Sequence, residues 1–177
     1  QTIWLMARRD ATWARGERAL LKMTVRGVLA AFLVAAPAAA DTAATLEREI
    51  AADWSKDLQA RFEDFHRNPE LGFMETRTAG IMAKELAAVP GVTVTTGVGR
   101  TGVVGVMANG DGPVVLLRAD MDGLPLQERS GLPYASTARS LNAEGKEQPT
   151  MHACGHDTHI TGLIATARRL AAHRAKW

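Results

Sequence analysis

After residue 41 apolar side chains recur at helical spacing. Leu46, Ile50, Trp54, Leu58, Phe62 and Phe65 stand three or four residues apart, with Glu47, Glu49, Asp57 and Glu63 between them. One apolar stripe with wetter flanks predicts a long amphipathic helix to about Arg67, stopped by Asn68-Pro69. A second helix is predicted from about Glu75 to Ala88, burying Ala79, Met82, Ala83 and Leu86, before Pro90-Gly91 ends it. The pattern then turns strand-like: Val92 to Thr96 alternates, Gly102 to Ala108 is almost wholly apolar, and Pro113 to Ala119 is apolar up to Arg118. Turn chemistry at Asn109-Gly110-Asp111-Gly112 predicts that the last two strands close as an antiparallel hairpin. The unbroken run Val114 to Leu117 predicts a strand covered on both faces. Residues 127–150 are polar, with Gly131, Pro133, Gly145 and Pro149, and read as a long loop that shapes a substrate pocket. Ile160, Leu163, Ile164, Ala167, Leu170 and Ala171 then predict a final helix, capped by Asp157 or Thr158, with Arg168, Arg169, Arg174 and Lys176 in its last turns. Helices, strands, loop and helix together predict a layered α/β unit with a mixed sheet.

Composition changes this picture mainly at the N-terminus. The 177 residues suit one domain or slightly more, and a 46% hydrophobic content supports a core built mostly from Ala, Val and Leu. The formal charge of +2 comes from the leader, because residues 1–40 carry six Lys/Arg against two Asp/Glu. No nucleic-acid partner follows from it. From Met23 the chain has a secretory layout: Arg26, an apolar run from Val28 to Ala36, and Ala38-Ala39-Ala40 before Asp41. The expected organisation is therefore an upstream extension at 1–22, a signal peptide at 23–40, and the domain at 41–177. Such a protein is expected in the periplasm or outside the cell, and the short apolar run is not expected to span a membrane stably.

Chemistry concentrates in Met151-His152-Ala153-Cys154-Gly155-His156-Asp157-Thr158-His159, which holds three of the five histidines and the single cysteine. Thiolate sulfur and imidazole nitrogen are preferred donors for a borderline-soft metal. In an extended segment, residues i and i+2 face one way, so Cys154 and His156 could reach one ion. A lone buried cysteine or a hydrogen-bonded structural histidine is the bland alternative, and clustering weighs against it. A third reading makes Cys154 a nucleophile activated by His152, His156 or His159. His66, at the end of the first predicted helix, reads as a partner of the helix dipole more readily than as a site residue. A second cluster, Arg118-Ala119-Asp120-Met121-Asp122-Gly123-Leu124-Pro125, lies where a predicted strand ends. Repulsion between Asp120 and Asp122 there would be relieved by a cation or by Arg118.

Four blocks in order, FHRNPELGFMETRTA, TGVGRTGVVGVM, LLRADMDGLPLQE and MHACGHDTH, resemble one family. It is the aminoacylase, hippurate hydrolase and auxin-conjugate amidohydrolase branch of the zinc-peptidase superfamily related to carboxypeptidase G. The resemblance runs from about Leu58 to the end. It implies the N-terminal part of a catalytic domain without the lid domain inserted in such enzymes, and metal-dependent hydrolysis of the amide bond of N-acyl amino acids, small-molecule substrates. Two divalent ions, zinc, manganese or cobalt, are implied as cofactors. Cys154 resembles the ligand that bridges them, His156 a terminal ligand, and Asp122 the acid that orients a metal-binding histidine. Asp120 stands where the wider superfamily has a histidine, and His152, Asp157 and His159 would support the ligands from behind. Copies would associate through the lid.

The family's paired glutamates, a general base and a ligand, follow the last helix, and its further histidine ligands come later. The 177 residues are therefore expected to be inactive alone, with an apolar sheet face left uncovered. A cysteine hydrolase built on Cys154 and a non-catalytic periplasmic metal-binding or interaction module are the rival readings.

Overall fold

The computed structural model describes residues 2–10 and 42–177. The proposed signal peptide and its cleavage point lie outside the described residues. The first helix, α1, is continuous over residues 42–67, as its apolar spacing requires, but it contains one π-helical turn, Trp54–Leu58, before Gln59–Arg67. It is followed by α2 (Thr76–Ala87), the strands β2 (Val92–Val98), β3 (Gly102–Asp111) and β4 (Val114–Asp120), and α3 (His156–Ala172). Residues 121–155 are largely irregular, as the polar composition of 127–150 predicts, but carry a two-stranded ribbon, β5 (Arg139–Leu141) with β6 (Glu147–Pro149).

One strand of the main sheet lies outside the expected domain at 41–177. Residues 2–10, which a domain starting at Asp41 leaves without a part, form β1 (Thr2–Asp10) in the middle of the main sheet, whose order is β2-β3-β1-β4. β1 runs parallel to β3, with Ile3 opposite Val103, and antiparallel to β4, with Ile3 opposite Ala119. The expected β3–β4 hairpin is therefore absent. Turn chemistry governs only the connection, and a third strand has taken the hydrogen-bonding edge that each would have offered the other. β1 earns this place by alternation: Ile3, Leu5 and Ala7 point into the core, and Ile3 and Leu5 have no exposed surface.

The core lies between the inward face of the sheet and the helices. Ile3, Leu5, Val103 and Met107 meet Met82 and Leu86 of α2, Leu58 and Phe65 of α1, and Ile160, Ile164 and Ala167 of α3. The fold class is thus an α/β unit with a mixed sheet, as expected. Both-face cover for Val114 to Leu117 is not found: Val114 and Val115 are each 55% exposed and Leu116 is 48% exposed. An apolar run reports what a strand tolerates, not whether a layer is present to cover it. Ion pairs bind the helices to one another, with Arg168 of α3 reaching Asp57 of α1 at 2.7 Å and Glu85 of α2 at 3.1 Å.

Candidate metal centre

Two chain segments distant in sequence are stitched together at Gly123. Its N–H donates to the Glu70 carbonyl at 2.7 Å, while Leu124 and Met151 exchange main-chain hydrogen bonds of 2.8 and 3.1 Å. A side chain at Gly123 would stand 2.9 Å from Pro69 Cβ and 3.1 Å from Met151 O. Only glycine lets three backbones approach so closely. The stitch sets the segment after β4 beside the segment that enters α3, and so brings Asp122 to His156.

His156 is half-buried at the start of α3, and its Nδ1 lies 2.9 Å from the Asp122 main-chain oxygen and 3.1 Å from the Asp122 carboxylate. With Nδ1–H given to Asp122, the ring is held in the tautomer whose Nε2 lone pair can bind a cation. Cys154 is a free, exposed thiol two residues earlier. The segment between them is not extended, because Gly155 is left-handed (φ 76°, ψ 23°) and the helix opens at His156, earlier than predicted. Same-face alternation therefore does not govern this pair. The expected side-chain cap is also missing: Gly155 is the N-cap, and Asp157, inside the first turn, accepts from Thr158 N at 2.8 Å.

The remaining predicted residues divide. His159 is exposed, its ring centroid 5.3 Å from that of His156. His152 is buried, and both of its ring nitrogens lack a hydrogen-bond partner. Burial pushes the His152 pKa down, opposed by the nearby Asp157 carboxylate. Asp120 is drawn away from the cluster, held by Arg118 at 2.6 Å and by the Thr2 hydroxyl of β1 at 3.1 Å. Asp157 is buried and grips His66 Nδ1 at 2.6 Å, while His66 Nε2 meets Glu128 at 3.0 Å. His66 is thus no helix-dipole partner: both ring nitrogens are taken by acids from other elements. Sequence reasoning missed Glu128 altogether, because a pairing across 62 residues leaves no local signature. Burial disfavours the charged His66 ring, but its hydrogen bonds to Glu128 and Asp157 prevail and hold its pKa above the ordinary value.

The donors suit a divalent ion in kind, since thiolate and imidazole are what such an ion selects, and the orphaned nitrogens of His152 mark further unmet polar capacity. In number they form only part of a site. Among the described residues no three His, Cys, Asp or Glu side chains are grouped so as to hold a metal. Beside the cluster, residues 126–128, 136–139, 149 and 150 line an open pocket of about 220 Å³.

Residues 116–177 match the model of peptidase family M20/M25/M40. The hippurate hydrolase of Campylobacter jejuni is 46% identical over 121 residues, covering 66% of this chain and 29% of that protein. An Arabidopsis thaliana IAA-amino acid hydrolase, ILR1-like 5, is 40% identical over 128 residues, covering 72% of this chain and 26% of that one. In structure, the chain is similar to the Bacillus subtilis YxeP protein, described as a dinuclear metal-binding peptidase of family M20. The TM-score is 0.57 at 32% identity, over 71% of this chain and 33% of that one. The chain spans about three tenths of the length of these curated relatives. Sequence and fold agree that residues 116–177 carry the pattern of peptidase family M20/M25/M40, and that the chain is similar to its members over about a third of their length.

Proposed function

We propose that these residues form part of the active centre of a metal-dependent amidohydrolase acting on N-acyl amino acids. One observation carries the reading: His156 is fixed through Nδ1 by Asp122, which leaves Nε2 available, and the free, exposed thiol of Cys154 lies two residues earlier in the chain. Cys154 and His156 would hold divalent ions, two per complete enzyme, with zinc, manganese and cobalt all compatible with the donors. When bound, such ions polarise a carbonyl and acidify water. Asp122 fixes the imidazole, and the loop at 126–139 walls the neighbouring pocket, where an acyl group would lie. Hydrolysis by relatives named hippurate hydrolase and N-acetylcysteine deacetylase supports the substrate class. The 177 residues alone are expected to show no turnover, since no three donors converge among the described residues. Export to the periplasm or beyond is part of the proposal and rests on the pattern of residues 23–40.

The test is to titrate the 177-residue chain with Co²⁺ and follow thiolate-to-cobalt absorption, and separately to assay the complete enzyme on N-benzoylglycine. Absorption that vanishes in Cys154→Ser, and activity lost on chelation and restored by metal, are expected. Activity that survives exhaustive chelation, or inactivation by thiol alkylation with metal still bound, would instead favour a cysteine nucleophile.

A further inference from the structure

Three elements converge on one imidazole. His66, the penultimate residue of α1, takes Asp157 of the first turn of α3 on Nδ1 at 2.6 Å and Glu128 of the irregular segment on Nε2 at 3.0 Å. The Glu128 side chain is only 1% exposed, and its second oxygen accepts from Ser136 N at 2.5 Å, with the Ser130 hydroxyl on the first. Tyr134 closes the ring's edge at 5.3 Å between centroids, and Phe62 of α1 stands at 5.9 Å. A neutral imidazole has only one N–H, so with both carboxylates ionised these two contacts call for a ring that carries both protons. An apolar side chain could join the same elements with less desolvation. What an imidazole adds is direction, because it fixes the Asp157 carboxylate next to His156 and the Glu128 carboxylate at the base of the 128–136 loop.

We propose that His66 is a positioning residue for the metal centre, tying the α3 turn that carries His156 to the loop that walls the adjoining pocket. The clamp itself stands on geometry alone, and its effect on metal rests on the function proposed above. Loss of the clamp frees the loop around Arg129, an exposed residue beside Glu128, and lets the His156 ring turn away from Asp122.

The experiment compares the whole 177-residue chain with His66→Gln and Glu128→Gln in three measurements. Without metal, trypsin is expected to cut after Arg129 about tenfold faster in both variants, with other sites cut at the original rate, because cleavage follows local opening. In NMR spectra the ring resonances of His156 are expected to move in His66→Gln, a change that a role confined to packing of the loop would not produce. With Co²⁺, half-saturation is expected to rise about tenfold in His66→Gln. Unchanged trypsin cutting together with unmoved His156 resonances overturns the proposal, as does identical Co²⁺ affinity in a chain that binds the ion. If the original chain takes up no Co²⁺, the metal reading of this fragment fails, and trypsin and NMR alone decide the clamp. Glu128→Gln keeps the experiment decisive should His66→Gln fail to fold.

Discussion

His156 gives one ring nitrogen to Asp122 across 34 residues of chain, touching both its main-chain oxygen and its carboxylate. A histidine oriented in this way binds metal more tightly than a free-swinging one, and removing such a partner commonly costs about 10- to 100-fold in affinity. Asp122→Ala is therefore expected to weaken Co²⁺ uptake by that range while the far-ultraviolet circular dichroism stays unchanged. Equal Co²⁺ binding curves would show that the contact does not serve a ligand.

Gly123 makes that contact available, and its environment leaves no room for a methyl group. Gly123→Ala places a carbon 2.9 Å from Pro69 Cβ and 3.1 Å from the Met151 carbonyl oxygen, so one of three backbones has to move. Overpacking of this kind costs about 1–3 kcal/mol. A fall in the urea midpoint with a parallel loss of Co²⁺ affinity is expected, and an unaltered midpoint would count against the stitched geometry.

Acidity should reveal the clamp. The His66 pKa is raised, so the folded chain holds that proton more tightly than the unfolded chain does. The contribution is complete below the ordinary histidine value of about 6.5 and fades as pH rises through the higher folded value. Glu128 opposes it at the other end. Burial works against its charge, but the Ser130, His66 and Ser136 hydrogen bonds hold its pKa below the ordinary value, and its contribution disappears as pH falls through that lowered value. The difference in urea midpoint between the original chain and His66→Gln is expected to be largest in mildly acidic buffer and to shrink above neutrality. A difference that is flat with pH would mean that the ring is not charged.

β1 makes a fourth prediction. Leu5 has no exposed surface and sits opposite Gly105 and Leu117 in the two flanking strands. Leu5→Ala is expected to cost about 2–5 kcal/mol, as for other fully buried leucines. Unchanged denaturation would place residues 2–10 outside the folded unit.

Much of this arrangement was readable in advance, for reasons visible in particular residues. α2 and α3 announce themselves because Met82, Leu86, Ile160 and Ile164 recur at the helical period and all reach the core. The acidic and cysteine–histidine clusters stood out because rare side chains crowd into a few positions. What escaped was non-local. Ile3, Leu5 and Ala7 alternate like a strand, yet a secretory pattern immediately downstream argued that the domain began later, and pairing with partners about a hundred residues away has no local mark. His66 looked like a helix end because that is its neighbourhood in sequence; Asp157 and Glu128, 91 and 62 residues further on, define it instead. The left-handed Gly155 likewise replaced the extended geometry assumed for Cys154 and His156.

The seat of β1 also constrains maturation. A peptidase cutting after Ala40 would detach the strand lodged between β3 and β4, leaving two raw edges about 10 Å apart, twice the normal strand spacing. The trimmed product would have to zip those edges together, with Asn109 to Gly112 as the hinge, or enlist a substitute ribbon. Residues 2–10 cannot both be discarded with a leader and hold the centre of the sheet.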